Sequence, residues 1–117
     1  VVNAWVRIYN AELATKFANN TNVVVVDIFG AFNEAVANPQ TFGFTNVTFP
    51  ACSVVSTSLA TCTSLALSNA TPPAGNTASG GGWWYTYLFA DGLHPGPAGH
   101  QFIADRIRIA LFNASWQ

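Results

Sequence analysis

Four consecutive valines followed by Asp27 and Ile28 make residues 23–28 an apolar, β-branched run with no polar alternation. Such a run reads as a strand covered on both faces, the kind found in a parallel sheet between helical layers. A strand of this type must hand its backbone N–H and C=O groups to neighbours. No other stretch of the 117 residues has an equally convincing strand pattern. Two expectations follow. Either short strands are hidden between residues 39 and 90, or the chain is the C-terminal part of a larger α/β domain.

Helical spacing is clear at both ends. In residues 3–17 the apolar side chains Trp5, Ile8, Tyr9, Leu13 and Phe17 recur with the period of a surface helix, predicting one buried stripe. Residues 31–38 can form a short helix that Pro39 ends, because the proline ring disfavours helical geometry in the residue before it. A last helix is predicted from Pro97, with Phe102, Ile103, Ile107, Ala110 and Leu111 on one face. Residues 39–90 keep no period of either kind. A stretch this long without regular structure is usually a lid, a binding loop or an insertion. Gly80, Gly81 and Gly82 form a predicted flexible joint ahead of Trp83, Trp84, Tyr85, Tyr87 and Phe89, an aromatic run that could line a pocket. There is no internal repeat and no second domain boundary.

Charge excludes some functions. Charged residues make up 8% of the chain, against about 25% in ordinary domains, and the formal net charge is −1. The cations Arg7, Lys16, Arg106 and Arg108 make no basic face that could neutralise phosphates, so nucleic acid is not an expected partner. No window approaches the roughly 18 apolar residues of a membrane span. The sequence has no Met, from which a removed segment upstream of Val1 is expected. Cys52 and Cys62, in a stretch rich in Ser, Thr and Ala, have a spacing that suits a loop-closing disulfide better than a metal site. With few charges and four N-x-S/T sequons, at Asn19, Asn46, Asn69 and Asn113, the chain reads as secreted, cell-surface or periplasmic.

The most chemically specific stretch is Asp91-Gly92-Leu93-His94-Pro95-Gly96-Pro97-Ala98-Gly99-His100. An Asp and a His three positions apart on a Gly/Pro-shaped turn can hydrogen-bond through imidazole Nδ1, which leaves Nε2 free as a base. That is the orienting pair of a nucleophile–His–acid triad. The plainer alternative is a turn in which the imidazole only satisfies a carboxylate. His100 reads as a structural histidine, Asp27 as a cap or turn residue, and no convergent set of three ligands predicts a metal. Leu93 beside the histidine, and Trp84 in the aromatic run, are the candidate substrate contacts.

At these residues the sequence resembles a family. The D-x-x-H-P motif, followed by G-H and an amphipathic helix, resembles the last block of the GDSL (SGNH) hydrolases. The resemblance extends to Asn33-Glu34-Ala35-Val36-Ala37-Asn38-Pro39, Phe42-Gly43-Phe44-Thr45-Asn46-Val47-Thr48 and Ala51-Cys52. It is similar to the phospholipase/lecithinase/haemolysin branch, which includes esterases and acyltransferases. The resemblance implies a flavodoxin-like three-layer α/β/α sandwich, hydrolysis of carboxylic esters through a serine acyl-enzyme, and no cofactor. It makes His94 the general base and Asp91 its acid, acting on lipid, aryl or acylated-sugar esters. The family's serine block, and its Gly and Asn blocks for the oxyanion, have no counterpart here, and Ser53, Ser56 and Ser58 lack the motif. Residues 1–117 are therefore expected to be the C-terminal segment of one such domain, partnered by an N-terminal fragment that carries the catalytic serine. The competing readings are an acyltransferase and a non-catalytic carbohydrate-binding module built on the aromatic loop.

Overall fold

A computed structural model of the chain describes residues 2–56, 58, 60–76 and 82–116. Its regular structure is helical, with α1 (Val2–Phe17), α2 (Ile28–Ala37), α3 (Ser64–Asn69) and α4 (Pro97–Asn113). Short 3₁₀ turns lie at Pro39–Phe42, Ala51–Val54 and Trp83–Thr86. The expected α/β sandwich with a parallel sheet is not found. Among the described residues there is no strand, and only two isolated bridges, Asn46 with Tyr87 and Phe89 with Pro95. Residues 23–27 are irregular, and Ile28 already opens α2. The physical reason is the one that made the run demanding: β-branched side chains favour extended backbone, but a strand exists only where a second backbone accepts its hydrogen bonds.

The chain divides into two compact units, one of Val1–Asn33 with Ile103–Gln117 and the other of Glu34–Phe102. In the first, α1 forms where its spacing predicts, yet the expected buried stripe is largely open: Trp5 is 72% exposed, and Ile8 and Tyr9 are exposed as well. Periodicity assigns residues to one face; it does not supply what covers that face. Arg7 lies over the Phe29 ring at 5.6 Å. Asp27 caps α2, its Oδ1 accepting the N–H of Gly30 at 2.8 Å, the bond an N-cap makes to the third helical residue. A Cβ at Gly30 would run into that carboxylate, so the glycine makes room for the cap. This cap starts α2 three residues before the apolar pattern predicts.

The second unit is built from the stretch that has no sequence period. Pro39 ends α2 and starts a 3₁₀ turn closed by Gly43 at φ 75°, a left-handed conformation that glycine adopts without a Cβ clash. Phe42 and Phe44 then meet Phe102 of α4 edge to face, at 5.3 and 5.8 Å between ring centres. Thr63 caps α3, its hydroxyl accepting the N–H of Ala66 at 3.1 Å. Beyond it Ala51, Leu67, Trp83, Trp84 and Tyr87 close a core, with Val55, Cys62 and Ala70 against it. The Trp83 indole N–H donates to the Leu67 carbonyl at 3.0 Å, so its one polar atom is paired on burial. Gly82 sits just ahead of the Trp83 turn, whereas Gly80 and Gly81 of the expected joint lie outside the described residues.

Residues 86–90 form the backbone spine of this unit. Thr45 and Cys52 approach it from one chain segment, donating to the carbonyls of Thr86 at 2.9 Å and Ala90 at 2.8 Å. Ala51 donates to Phe89 at 3.0 Å, and Leu88 donates to the Asn46 carbonyl at 2.9 Å. From the other side Gly96 donates to Leu88 at 2.8 Å, and Ala90 donates to His94 at 2.9 Å. The expected pairing of Cys52 with Cys62 is present as a disulfide, with 5.5 Å between their Cα atoms. Cys52 thus links the disulfide loop directly to the residue that precedes Asp91.

Candidate active site

The 91–94 loop is a tight reversal held by its own first side chain. Asp91 Oδ1 accepts the backbone N–H of Leu93 at 2.8 Å and that of His94 at 2.5 Å. This is the Asx geometry that makes aspartate a turn former. The same carboxylate meets imidazole Nδ1, at 2.9 Å from Oδ2 and 3.1 Å from Oδ1. The hydrogen bond anticipated from the i,i+3 spacing is therefore formed. An ionised carboxylate can only accept, so Nδ1 carries a proton, and in the neutral ring Nε2 then holds the lone pair. Side-chain exposure is 56% for His94 and 21% for Asp91. The imidazole is open to solvent while the carboxylate is mostly sheltered.

These contacts also fix the charge. The N–H of His94, then its imidazole, then the N–H of Leu93 hold the Asp91 carboxyl down at about 2, against an ordinary value near 3.8. Hydrogen bonds to the ionised form dominate that shift. Asp91 is accordingly a constant negative charge across any pH at which an imidazole could work as a base.

What the sequence reading missed is how closely α4 seats the loop. Gly99 is buried, and a Cβ there would collide with the Leu88 carbonyl and come within 2.8 Å of the Pro95 ring. At Gly96 a Cβ would lie 3.1 Å from the Tyr87 carbonyl. Both positions let the first turn of α4 lie against the spine, immediately after the histidine. Two glycines flanking Pro97, which starts the helix, were the available signal: glycine in a first turn is otherwise unfavourable and marks close approach.

The other predicted residues are distributed as follows. Leu93 stands at the loop tip, 77% exposed beside His94. Trp84 is buried in the core, stacked on Tyr85 at 4.0 Å between ring centres, and its remaining surface faces a small pocket. Trp83 and Tyr87 are buried too, so of the four tryptophan and tyrosine rings of the run only Tyr85 offers an open face. His100 is exposed on the first turn of α4. Ser53 donates to the Pro50 carbonyl at 2.7 Å, and Ser56 accepts from Thr61 at 2.7 Å. Among the described residues, no serine hydroxyl is hydrogen-bonded to His94. Among the same residues no cluster of three His, Cys, Asp or Glu side chains could hold a metal ion, and no helix is long and apolar enough to cross a membrane.

Comparison with curated proteins and with solved structures found no match. The family model described as GDSL-like Lipase/Acylhydrolase matches residues 1–107, which includes the loop of Asp91 and His94 and most of α4. On that match the chain belongs to the GDSL-like lipase/acylhydrolase family.

Proposed function

We propose that this chain supplies the histidine base and its orienting acid to a serine hydrolase of carboxylic esters. The observation that carries the reading is the Asp91 carboxylate bonded to His94 Nδ1, which leaves Nε2 as the free base on an exposed loop. Family membership supplies the reaction class. The nucleophilic serine is assigned to a segment outside these 117 residues, because no G-D-S block occurs in the sequence.

Nε2 accepts the serine proton as Oγ bonds to the ester carbonyl carbon. The tetrahedral intermediate then collapses, and the alcohol leaves with that proton. Water next gives a proton to Nε2 while its oxygen attacks the acyl carbonyl, and the acid departs as Oγ recovers the proton. Through both halves Asp91 remains ionised, holding the tautomer and stabilising the imidazolium. An alcohol in place of the water makes the same acyl-enzyme an acyltransferase. The disulfide and the low charge density support action outside the cytoplasm.

Treatment of the purified protein with a fluorophosphonate probe, followed by intact masses of every polypeptide present, tests this. An adduct on a serine of an accompanying segment is expected, and His94→Ala should slow its formation by about 10⁴-fold or more, the scale on which a triad histidine acts. An adduct that forms equally fast in His94→Ala, or no adduct at all, overturns the reading.

A further inference from the structure

One pocket of the second unit has Ala90 and Gly96, which flank the turn of Asp91 and His94, in its wall. Its walls are Cys52, Leu67, Trp84, Ala90, Gly96 and Pro97, with Ser64 at the exposed start of α3, and it holds about 280 Å³. Ala90 immediately precedes Asp91, and Gly96 follows His94 by two residues. A larger cleft of about 380 Å³, bordered by Thr45, Phe49, Ser53 and Asn76, includes neither Ala90 nor Gly96. Two properties decide what the smaller pocket can accept. No side chain in its wall carries a charge, so a phosphate or carboxylate entering it would lose water without finding a counter-ion. Its volume falls just below the roughly 300–1,000 Å³ of pockets that take drug-sized ligands, which limits the occupant to a short aliphatic group.

We propose that this pocket receives the acyl chain of the ester, and that it selects short, uncharged chains. The inference rests on the ester hydrolase reading above and adds to it the substrate class and the residues that measure chain length. Trp84 acts here as a wall, its ring held by the core rather than offered as an open platform. Cys52 contributes twice, as a wall of the pocket and as the donor that fixes Ala90 at the mouth of the loop.

The test uses the purified protein with every polypeptide that accompanies it, and a series of p-nitrophenyl esters from acetate to dodecanoate. Each methylene that enters the pocket should raise kcat/KM about fourfold, the equivalent of about 0.8 kcal/mol, up to the chain that fills it, beyond which the rate falls. Ser64→Trp places a large ring at the pocket's edge from an exposed first-turn position, and should bring the ratio of hexanoate to acetate turnover down to about one, with circular dichroism of the variant unchanged. A flat chain-length profile in the unaltered protein, or an unaltered profile in Ser64→Trp, overturns the acyl-pocket inference and leaves the hydrolase reading standing. Failure of every ester together with absence of a fluorophosphonate adduct removes both.

Discussion

Trp5 and Trp83 are the same side chain in opposite situations. Trp5 lies in a helix with an orderly apolar period and is 72% exposed; Trp83 lies in a stretch without any period and is 0% exposed. The difference is one of partners within each unit. Around Trp83, non-local segments converge, the Leu67 carbonyl takes the indole proton, and Tyr87 meets the ring edge to face at 5.1 Å. Around Trp5 a regular local pattern creates a face and nothing more. Burial in this chain follows cross-linking and backbone convergence rather than helical regularity, and the loop of Asp91 and His94 stands on the convergent side.

Substitutions can sharpen that contrast. Trp83→Ala should cost about 3–5 kcal/mol, the range for removing a buried aromatic ring, read from urea unfolding followed by circular dichroism. A loss below about 1 kcal/mol would break the comparison. Replacing both Cys52 and Cys62 by Ala should cost about 2–4 kcal/mol, and hydrogen exchange should quicken at residues 86–90 while α1 exchanges as before. Faster exchange at α1 alone would place the disulfide's influence on the wrong unit.

Acid offers a smaller effect confined to the second unit. Because the Asp91 carboxyl is held at about 2 in the folded chain, its contribution to stability is complete above the ordinary carboxylate value of about 4. It is lost as pH falls from there through about 2. The difference in stability between the unaltered protein and Asp91→Asn should therefore shrink as pH falls across that interval. A difference that does not change between pH about 4 and 2 would assign the acid sensitivity to another group. The smallest change is expected at Trp5→Ser, within about 0.5 kcal/mol in unfolding, as for surface substitutions generally.

The sequence made the local parts of this structure legible. The extent of α1, the start of α4 at Pro97, the cap at Asp27, the disulfide and the hydrogen bond from His94 to Asp91 each depend on residues near one another in the chain or on a single pairing. Failures arose wherever the outcome depended on a distant partner. Residues 23–28 have the composition of a buried strand, and composition is identical whether or not a neighbouring backbone exists. The aromatic run reads as a pocket lining, which holds at Trp84 and Tyr87, but nothing in Trp83-Trp84-Tyr85 states that these rings also close a core; that depended on Leu67 and Ala51. Helix α3 has only six residues, too few to show a period, although Thr63 ahead of Leu65 and Leu67 was a readable start signal.

The spine at residues 86–90 has a kinetic consequence. Asp91 and His94 are separated by three residues and need only a local turn to meet, whereas the Thr45 and Thr86 side chains that meet beside the spine lie 41 residues apart in sequence. Closing loops of that length precedes any reward from the contacts they bring together. During refolding the Asp91–His94 hydrogen bond can form early and repeatedly, but the loop acquires a fixed place only when the slow, long-range step is complete. Full protection of the amides at residues 86–90 should therefore track the last phase of refolding rather than the first appearance of helix.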